Sequence, residues 1–160
     1  MFLKPTYFID GDITSVDIER LSHDGVKGLI IDLDSTLMES KSGSITDETR
    51  DWLERARPLF AIVVLSNNKR DEYLQGASTV LAMKIIGHAA KPFPSGFNQA
   101  LTILDLPPEE VAVIGDRPLT DILGGQLAKM KTVLVRPLKS IKEPSWKTFF
   151  RNVERIVVRP

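Results

Sequence analysis

The chain has 160 residues, enough for one domain with a single core, and its hydrophobic and charged fractions of 42% and 26% are ordinary for a soluble globular protein. It contains no Cys, which excludes disulfides and thiolate chemistry and leaves any metal to oxygen or nitrogen ligands. Its 21 basic and 21 acidic residues cancel, so no nucleic-acid partner is expected, and no apolar run approaches the roughly 20 residues of a membrane span.

The start, Met1-Phe2-Leu3-Lys4-Pro5, lacks the long apolar core of a signal peptide, so a cytoplasmic protein is expected. Thr14 or Ser15 can cap a short helix through about Ser22, with Val16, Ile18 and Leu21 as its apolar positions and Gly25 ending it. The run 27–33 then reads as a buried strand. Beyond a loop at 40–44, Thr46 opens a second helix with Asp47 and Glu48 in its first turn; it buries Trp52, Leu53 and Ala56 and stops before Pro58. A second apolar strand at 60–65 ends in Ser66-Asn67-Asn68, and a helix over about 69–81 follows despite Gly76, a residue that costs about 1 kcal/mol in a helix interior. A weaker strand at 83–87 leads to Ala90-Lys91-Pro92. Ser95 can cap a helix carrying Phe97, Ala100, Leu101 and Leu104, and Pro107-Pro108 separates it from the strand 111–115. A polar loop spans Asp116 to Asp121, a helix runs to about Met130, and 132–135 is the last strand.

Alternating strands and helices predict an α/β fold: a single Rossmann-like, three-layer domain with a mostly parallel, five-stranded sheet. All strand C-termini of such a sheet share one edge, where ligands bind. Asp32 and Asp34, Ser66-Asn67-Asn68, Lys91, and Asp116 with Asp121 all follow predicted strands, so the topology gathers them there. Side chains two apart on an extended chain point the same way, so Asp32 and Asp34 can share one small volume. Alone, the pair is as well explained as a solvated strand end; the four converging strand ends make it a site.

Carboxylates of Asp32, Asp116 and Asp121, the last directly or through water, form an oxygen-only shell of the kind Mg²⁺ accepts. Ser66 can donate a hydrogen bond, the backbone N–H groups of Asn67 and Asn68 can bind anion oxygens, and Lys91 adds positive charge. These residue types suit a phosphoryl group bridged to a metal. Asp32 can then serve as the nucleophile, forming an aspartyl-phosphate, and Asp34 as the acid that protonates the leaving oxygen and the base that activates water. The side chains of Asn67 and Asn68 can equally shape a turn. His88 is read as structural or as a site-edge residue, His23 as a surface residue, and Trp52 and Phe97 as core.

Asp32-Leu33-Asp34-Ser35-Thr36-Leu37, Ser66, Lys91-Pro92 and Gly115-Asp116-Arg117-Pro118-Leu119-Thr120-Asp121 resemble, in order and spacing, the four motifs of haloacid-dehalogenase-like phosphatases. Leu3-Lys4-Pro5, Gly28, Ser66-Asn67-Asn68, Ala90-Lys91-Pro92 and Asp121-Ile122-Leu123-Gly124-Gly125 are similar to the YqeG branch of the capless subclass IIIA, itself similar to phosphatidylglycerophosphate phosphatases. The resemblance spans roughly 3–137. It implies Asp32 as nucleophile, Asp34 as acid/base, and Ser66 and Lys91 as phosphate binders, which the Asn67 backbone N–H can join. It also implies Mg²⁺ held by Asp32, Asp116, Asp121 and the backbone carbonyl of Asp34, and a phosphorylated substrate, phosphatidylglycerophosphate among the candidates. The branch usually carries Asn at Ser35 and Gln at Arg117, and often Gly near Met130.

Two rivals are a phospho-accepting receiver-like regulatory domain and a non-catalytic scaffold of the same fold. In a receiver the acceptor follows the third strand and has no acid two residues on; here the acid pair follows the first predicted strand. The intervals 35–45 and 67–90 are too short for a lid once their helix and strand are counted, so no cap domain is expected. An open site suits substrates that bring their own cover: a macromolecule, a membrane surface or a partner subunit, which makes a homo-oligomer one candidate.

From Arg136 onward seven basic residues face two acidic ones. Trp146, Phe149, Phe150, Val153 and Val157 recur at helical spacing among Lys147, Arg151 and Arg155, so the region at about 137–160 reads as a basic amphipathic tail on a single domain of 1–160. Peripheral contact with an anionic membrane is one expectation for it; an ordinary terminal helix covering the sheet is the other.

Overall fold

The two apolar runs around Ile30 and Val113 pair side by side at the centre of the sheet. In the computed structural model, which describes residues 3–138 and 152–158, β1 is Tyr7–Phe8, β2 Gly28–Ile31, β3 Ala61–Leu65, β4 Ile85–Ile86, β5 Val111–Gly115 and β6 Lys131–Leu134. All six strands are parallel, in the order β1-β6-β5-β2-β3-β4. The register sets Gly28 beside both Ala61 and Val111, and Ile31 beside Val64 and Ile114.

The helices are α1 (Ile18–His23), α2 (Asp47–Ala56), α3 (Asp71–Leu81), α4 (Pro94–Leu104) and α5 (Leu123–Leu127). Leu29, Ile31, Val64, Ala112 and Ile114 share one cluster with Trp52, Leu53, Leu74 and Leu81 from α2 and α3. Ile30, Val63, Leu65 and Val113 share the opposite cluster with Phe97 and Ala100 of α4. Covering both faces is what makes these strands read as unbroken apolar runs rather than alternating ones. Trp52, fully buried as expected, donates its indole N–H to the Val16 carbonyl at 3.0 Å and so satisfies its one polar atom.

Among the described residues the sheet has six strands rather than the five expected. The additional strand, β1, is two residues long and pairs Tyr7 with Val133 and Phe8 with Leu134. Thr6 and Thr132 reinforce that edge by exchanging N–H to Oγ1 hydrogen bonds at 3.1 and 3.0 Å. A pair of residues carries no periodicity, so only its distant partner makes it a strand.

The helix expected from Thr14 divides in two. Asp12 caps a 3₁₀ turn at Ile13–Ser15, and α1 starts later, capped by Asp17, whose carboxylate accepts from the Arg20 N–H at 3.0 Å. Thr46 caps α2 as expected. Ser95 does not cap α4; Pro94 occupies its first turn, preceded by Phe93. The segment after Asp116 is a π-helical turn at Pro118–Ile122 continuing into the short α5.

The intervals 35–45 and 67–90 hold only loops, α3 and β4, so no folded insert stands over the carboxyl edge among the described residues. At the C-terminus, a helical turn over 152–155 and the bridge from Leu3 to Val158 return the chain to the β1 side. Trp146, Lys147, Phe149, Phe150 and Arg151 of the expected amphipathic tail lie outside the described residues. Of the rest, Val153 is exposed and Arg155 is half-buried, donating to the Val135 carbonyl at 2.9 Å and lying over the Phe8 ring. No helix among the described residues is long and apolar enough to cross a membrane.

Candidate active site

Asp32 continues β2 for one residue beyond the strand, its N–H donating to the Ile114 carbonyl at 3.0 Å. That bond aims its carboxylate off the carboxyl edge at the centre of the sheet. Lys91, 3% exposed at its side chain, donates to Asp32 Oδ1 at 2.7 Å, to Asp121 Oδ1 at 2.6 Å and to the Leu65 carbonyl at 3.0 Å. Those three acceptors use all three ammonium donors. Thr36, fully buried, lies between Asp32 Oδ2 (3.4 Å) and Asp116 Oδ1 (3.2 Å). One carboxylate oxygen each from Asp32, Asp116 and Asp121 lies within 4.8 Å of the others.

Local structure explains how Asp121 reaches this cluster. The π-helical turn brings it back toward the strand end, where its Oδ2 accepts from the Arg117 N–H at 3.2 Å. π-turns recur at functional sites because they re-aim one side chain. Gly115 supplies the space: a Cβ there would lie 2.3 Å from the Asp121 carboxyl carbon, so only glycine fits. The Arg117 side chain leaves the cluster and pairs with Glu154 of the C-terminal turn.

The three residues after β3 have separate tasks. Ser66 is buried, and its Oγ accepts from the Asn68 N–H at 3.1 Å. The Asn67 amide clamps the main chain of Lys91, accepting from its N–H at 2.7 Å and donating to its carbonyl at 3.2 Å. Asn68 Nδ2 donates to Asp34 Oδ2 at 3.3 Å. Asp34 thus stands apart from the carboxylate cluster, with its Oδ1 accepting from the Tyr73 hydroxyl at 2.9 Å and the Lys41 N–H at 3.5 Å. The turn that follows Asp34 is pinned by the Leu33 carbonyl, which accepts from Leu37 and Met38 N–H groups at 3.0 and 3.1 Å. Ser35 in that turn has φ 66°, a left-handed conformation that Asn tolerates better than Ser.

Burial pushes the Asp32 carboxyl well above its ordinary pKa; Lys91 opposes that shift, and the neighbouring Asp121 and Asp116 charges add to it. Burial alone would lower the Lys91 ammonium, but the Asp121 and Asp32 carboxylates outweigh it and hold it above its usual value. Burial and the adjacent Asp34 raise the Tyr73 phenol, which therefore remains a hydrogen-bond donor through the neutral range. With three carboxylates against one ammonium, the cluster carries excess negative charge in a largely buried volume. Hard, anionic oxygens crowded in this way fit a divalent cation, which would supply the missing positive charge.

The structure therefore brings Asp32, Lys91, Asp116 and Asp121 into one cluster, with Ser66 and Asn67 on the adjoining loop and Asp34 beside it. His88 is exposed, with its Nε2 2.7 Å from Asp71 Oδ1 and its main-chain N–H donating to the Asn68 carbonyl at 3.0 Å. Sequence reading missed Thr36, Tyr73 and Glu154. Thr36 carried a signal, because it sits four residues beyond Asp32; Tyr73 meets Asp34, and Glu154 meets the Arg117 side chain beside the cluster, only through tertiary packing.

A family model described as HAD-hydrolase-like matches residues 88–140. The chain is 33% identical to the probable phosphatase YqeG of Bacillus subtilis (strain 168) over 98% of its own length and 90% of that protein's. It is 28% identical to the chloroplastic/mitochondrial phosphatidylglycerophosphate phosphatase 1 of Arabidopsis thaliana, over 83% of this chain and 41% of that one. An uncharacterized protein from Listeria monocytogenes serotype 4b shares the fold, with a TM-score of 0.62 at 17% identity over 74% of this chain and 85% of its own. The near-complete match to YqeG, joined to these motifs on this fold, establishes that the chain belongs to the haloacid-dehalogenase-like phosphatases.

Proposed function

We propose that the protein is a Mg²⁺-dependent phosphate-monoester hydrolase working through an aspartyl-phosphate on Asp32. The observation that carries this reading is the placement of Asp32 at the central strand end, joined to Lys91 and within 4.8 Å of Asp116 and Asp121. Asp32, Asp116 and Asp121, with the Asp34 backbone carbonyl, would hold the ion, whose charge would offset that on the phosphoryl group. An oxygen of Asp32 attacks phosphorus while the ester P–O bond breaks, and a proton from Asp34 passes to the leaving oxygen. In the second half, water loses a proton to Asp34 and attacks phosphorus, and the bond to Asp32 breaks. Ser66, the Asn67 main chain and Lys91 bind and orient the phosphoryl group.

The substrate we propose is phosphatidylglycerophosphate. The named activity of the Arabidopsis relative supports it, as does an uncapped carboxyl edge that a lipid headgroup can enter from a bilayer. The whole chain, 1–160, would act as one phosphatase domain in the cytoplasm, with its basic tail in peripheral contact with the membrane. Turnover of p-nitrophenyl phosphate and of phosphatidylglycerophosphate in vesicles, with and without Mg²⁺, tests this. Hydrolysis of both that chelation abolishes is expected; equal rates after chelation overturn the metal role, and turnover of the aryl ester alone overturns the lipid substrate.

A further inference from the structure

We propose that Tyr73 is a positioning residue for the reaction: its hydroxyl fixes Asp34 Oδ1 and so leaves Oδ2 as the oxygen that passes the proton to the leaving group. The inference rests on the reading of Asp34 as the leaving-group acid given above.

A carboxylate oxygen offers two lone-pair sites. Both sites of Oδ1 are taken, by the Tyr73 O–H at 2.9 Å and the Lys41 N–H at 3.5 Å. Among the described residues Oδ2 has a single donor, Asn68 Nδ2 at 3.3 Å, and so keeps a site for the transferable proton. Asn68 cannot rotate to offer its oxygen instead, because its Oδ1 already accepts from the Arg70 N–H at 2.9 Å.

Tyr73 is well placed to hold this geometry. It stands in the first turn of α3, half-buried, and its ring lies against Gly43, where an added Cβ would meet Cε2 at 4.0 Å. Gly43 has φ +66°, so the loop between Asp34 and α2 closes over the tyrosine in a conformation that favours glycine. The ring thus ties α3 and that loop to one carboxylate oxygen. A structural tyrosine needs only some partner for its hydroxyl; one whose partner is the proton-transfer residue controls which oxygen reacts.

The test compares kcat/KM for p-nitrophenyl phosphate and phenyl phosphate in the full-length protein with Mg²⁺. This parameter reports steps up to departure of the leaving group, and the more basic phenolate depends far more on being protonated. In Asp34→Asn the ratio of p-nitrophenyl to phenyl rates should rise about 100-fold or more, the range a general acid supplies. In Tyr73→Phe, which keeps the ring on Gly43, it should rise about tenfold, as expected of an acid that is present but misaimed. Both rates come from one preparation, so a partly unfolded sample leaves the ratio unchanged. A wild-type ratio in Tyr73→Phe together with a raised one in Asp34→Asn overturns this proposal alone. A wild-type ratio in Asp34→Asn, or a wild-type protein that hydrolyses neither ester, overturns the reading of Asp34 or of the site, and this proposal with it.

Discussion

Asp32 and Asp34 are separated by one residue yet live in different environments. Asp32 is nearly buried among charges: an ammonium at 2.7 Å and two further carboxylates in the same small volume. Asp34 is half-buried among neutral donors, a phenol, a primary amide and a backbone N–H. Charged neighbours concentrate field on Asp32, which suits attack on an anionic phosphoryl group beside a cation. Neutral neighbours orient Asp34 without adding charge, which suits a group that exchanges a proton. Under the proposed mechanism, identical side chains take separate roles from what surrounds them.

The largest effect that can break this comparison is on turnover. Asp32→Asn should lower hydrolysis by about 10⁴-fold or more and abolish covalent labelling by phosphate, with folding intact. Asp34→Asn should still label from p-nitrophenyl phosphate, because that leaving group departs unprotonated. Labelling of the Asp32→Asn protein would remove the distinction between the two acids.

Stability should separate them next. Lys91→Met strands the Asp32 and Asp121 carboxylates without their shared cation and should cost about 3–5 kcal/mol in denaturant unfolding, partly recovered by Mg²⁺. An unchanged midpoint would show that the pair contributes no net stability. The pH dependence follows from Asp32, whose folded pKa lies above its unfolded value. Without metal, the folded protein holds a proton there that the unfolded chain has released, so stability falls as pH rises from the unfolded pKa toward the folded one. A divalent cation bound by the cluster would take the place of that proton. The rise in melting temperature on adding Mg²⁺ should therefore grow with pH across that window, and a pH-independent rise would count against the cluster as the metal site. The smallest expected effect is at Glu154, whose partner Arg117 is 45% exposed at its side chain. Glu154→Gln should cost about 1 kcal/mol or less, leaving labelling at Asp32 intact.

Most of the fold was legible because its signals are local. Unbroken apolar runs marked β2, β3 and β5, Thr46 marked the start of α2, and Gly25 marked the end of α1. What escaped had no local signature. Tyr7 and Phe8 are a strand only because β6 offers an edge, and Asp17 caps α1 only because the chain first turns through Ile13–Ser15. In the site, acids following strands pointed to a common edge through chain order alone. The division of labour within Ser66-Asn67-Asn68 was not legible, because an asparagine's partner depends on which loop lies across from it. Asn67 faces Lys91 and Asn68 faces Asp34.

By itself, then, the order of residues determined the layer architecture, the parallel sheet and the edge on which the acids meet, since periodicity and chain order suffice for each. Only the tertiary structure decided that Lys91 bridges Asp32 and Asp121, that Gly115 leaves room for the second acid, and that Tyr73 reaches Asp34. The reason is distance along the chain. Lys91 lies 59 residues from Asp32 and Tyr73 lies 39 from Asp34, so each contact exists only once independent strands and helices have packed.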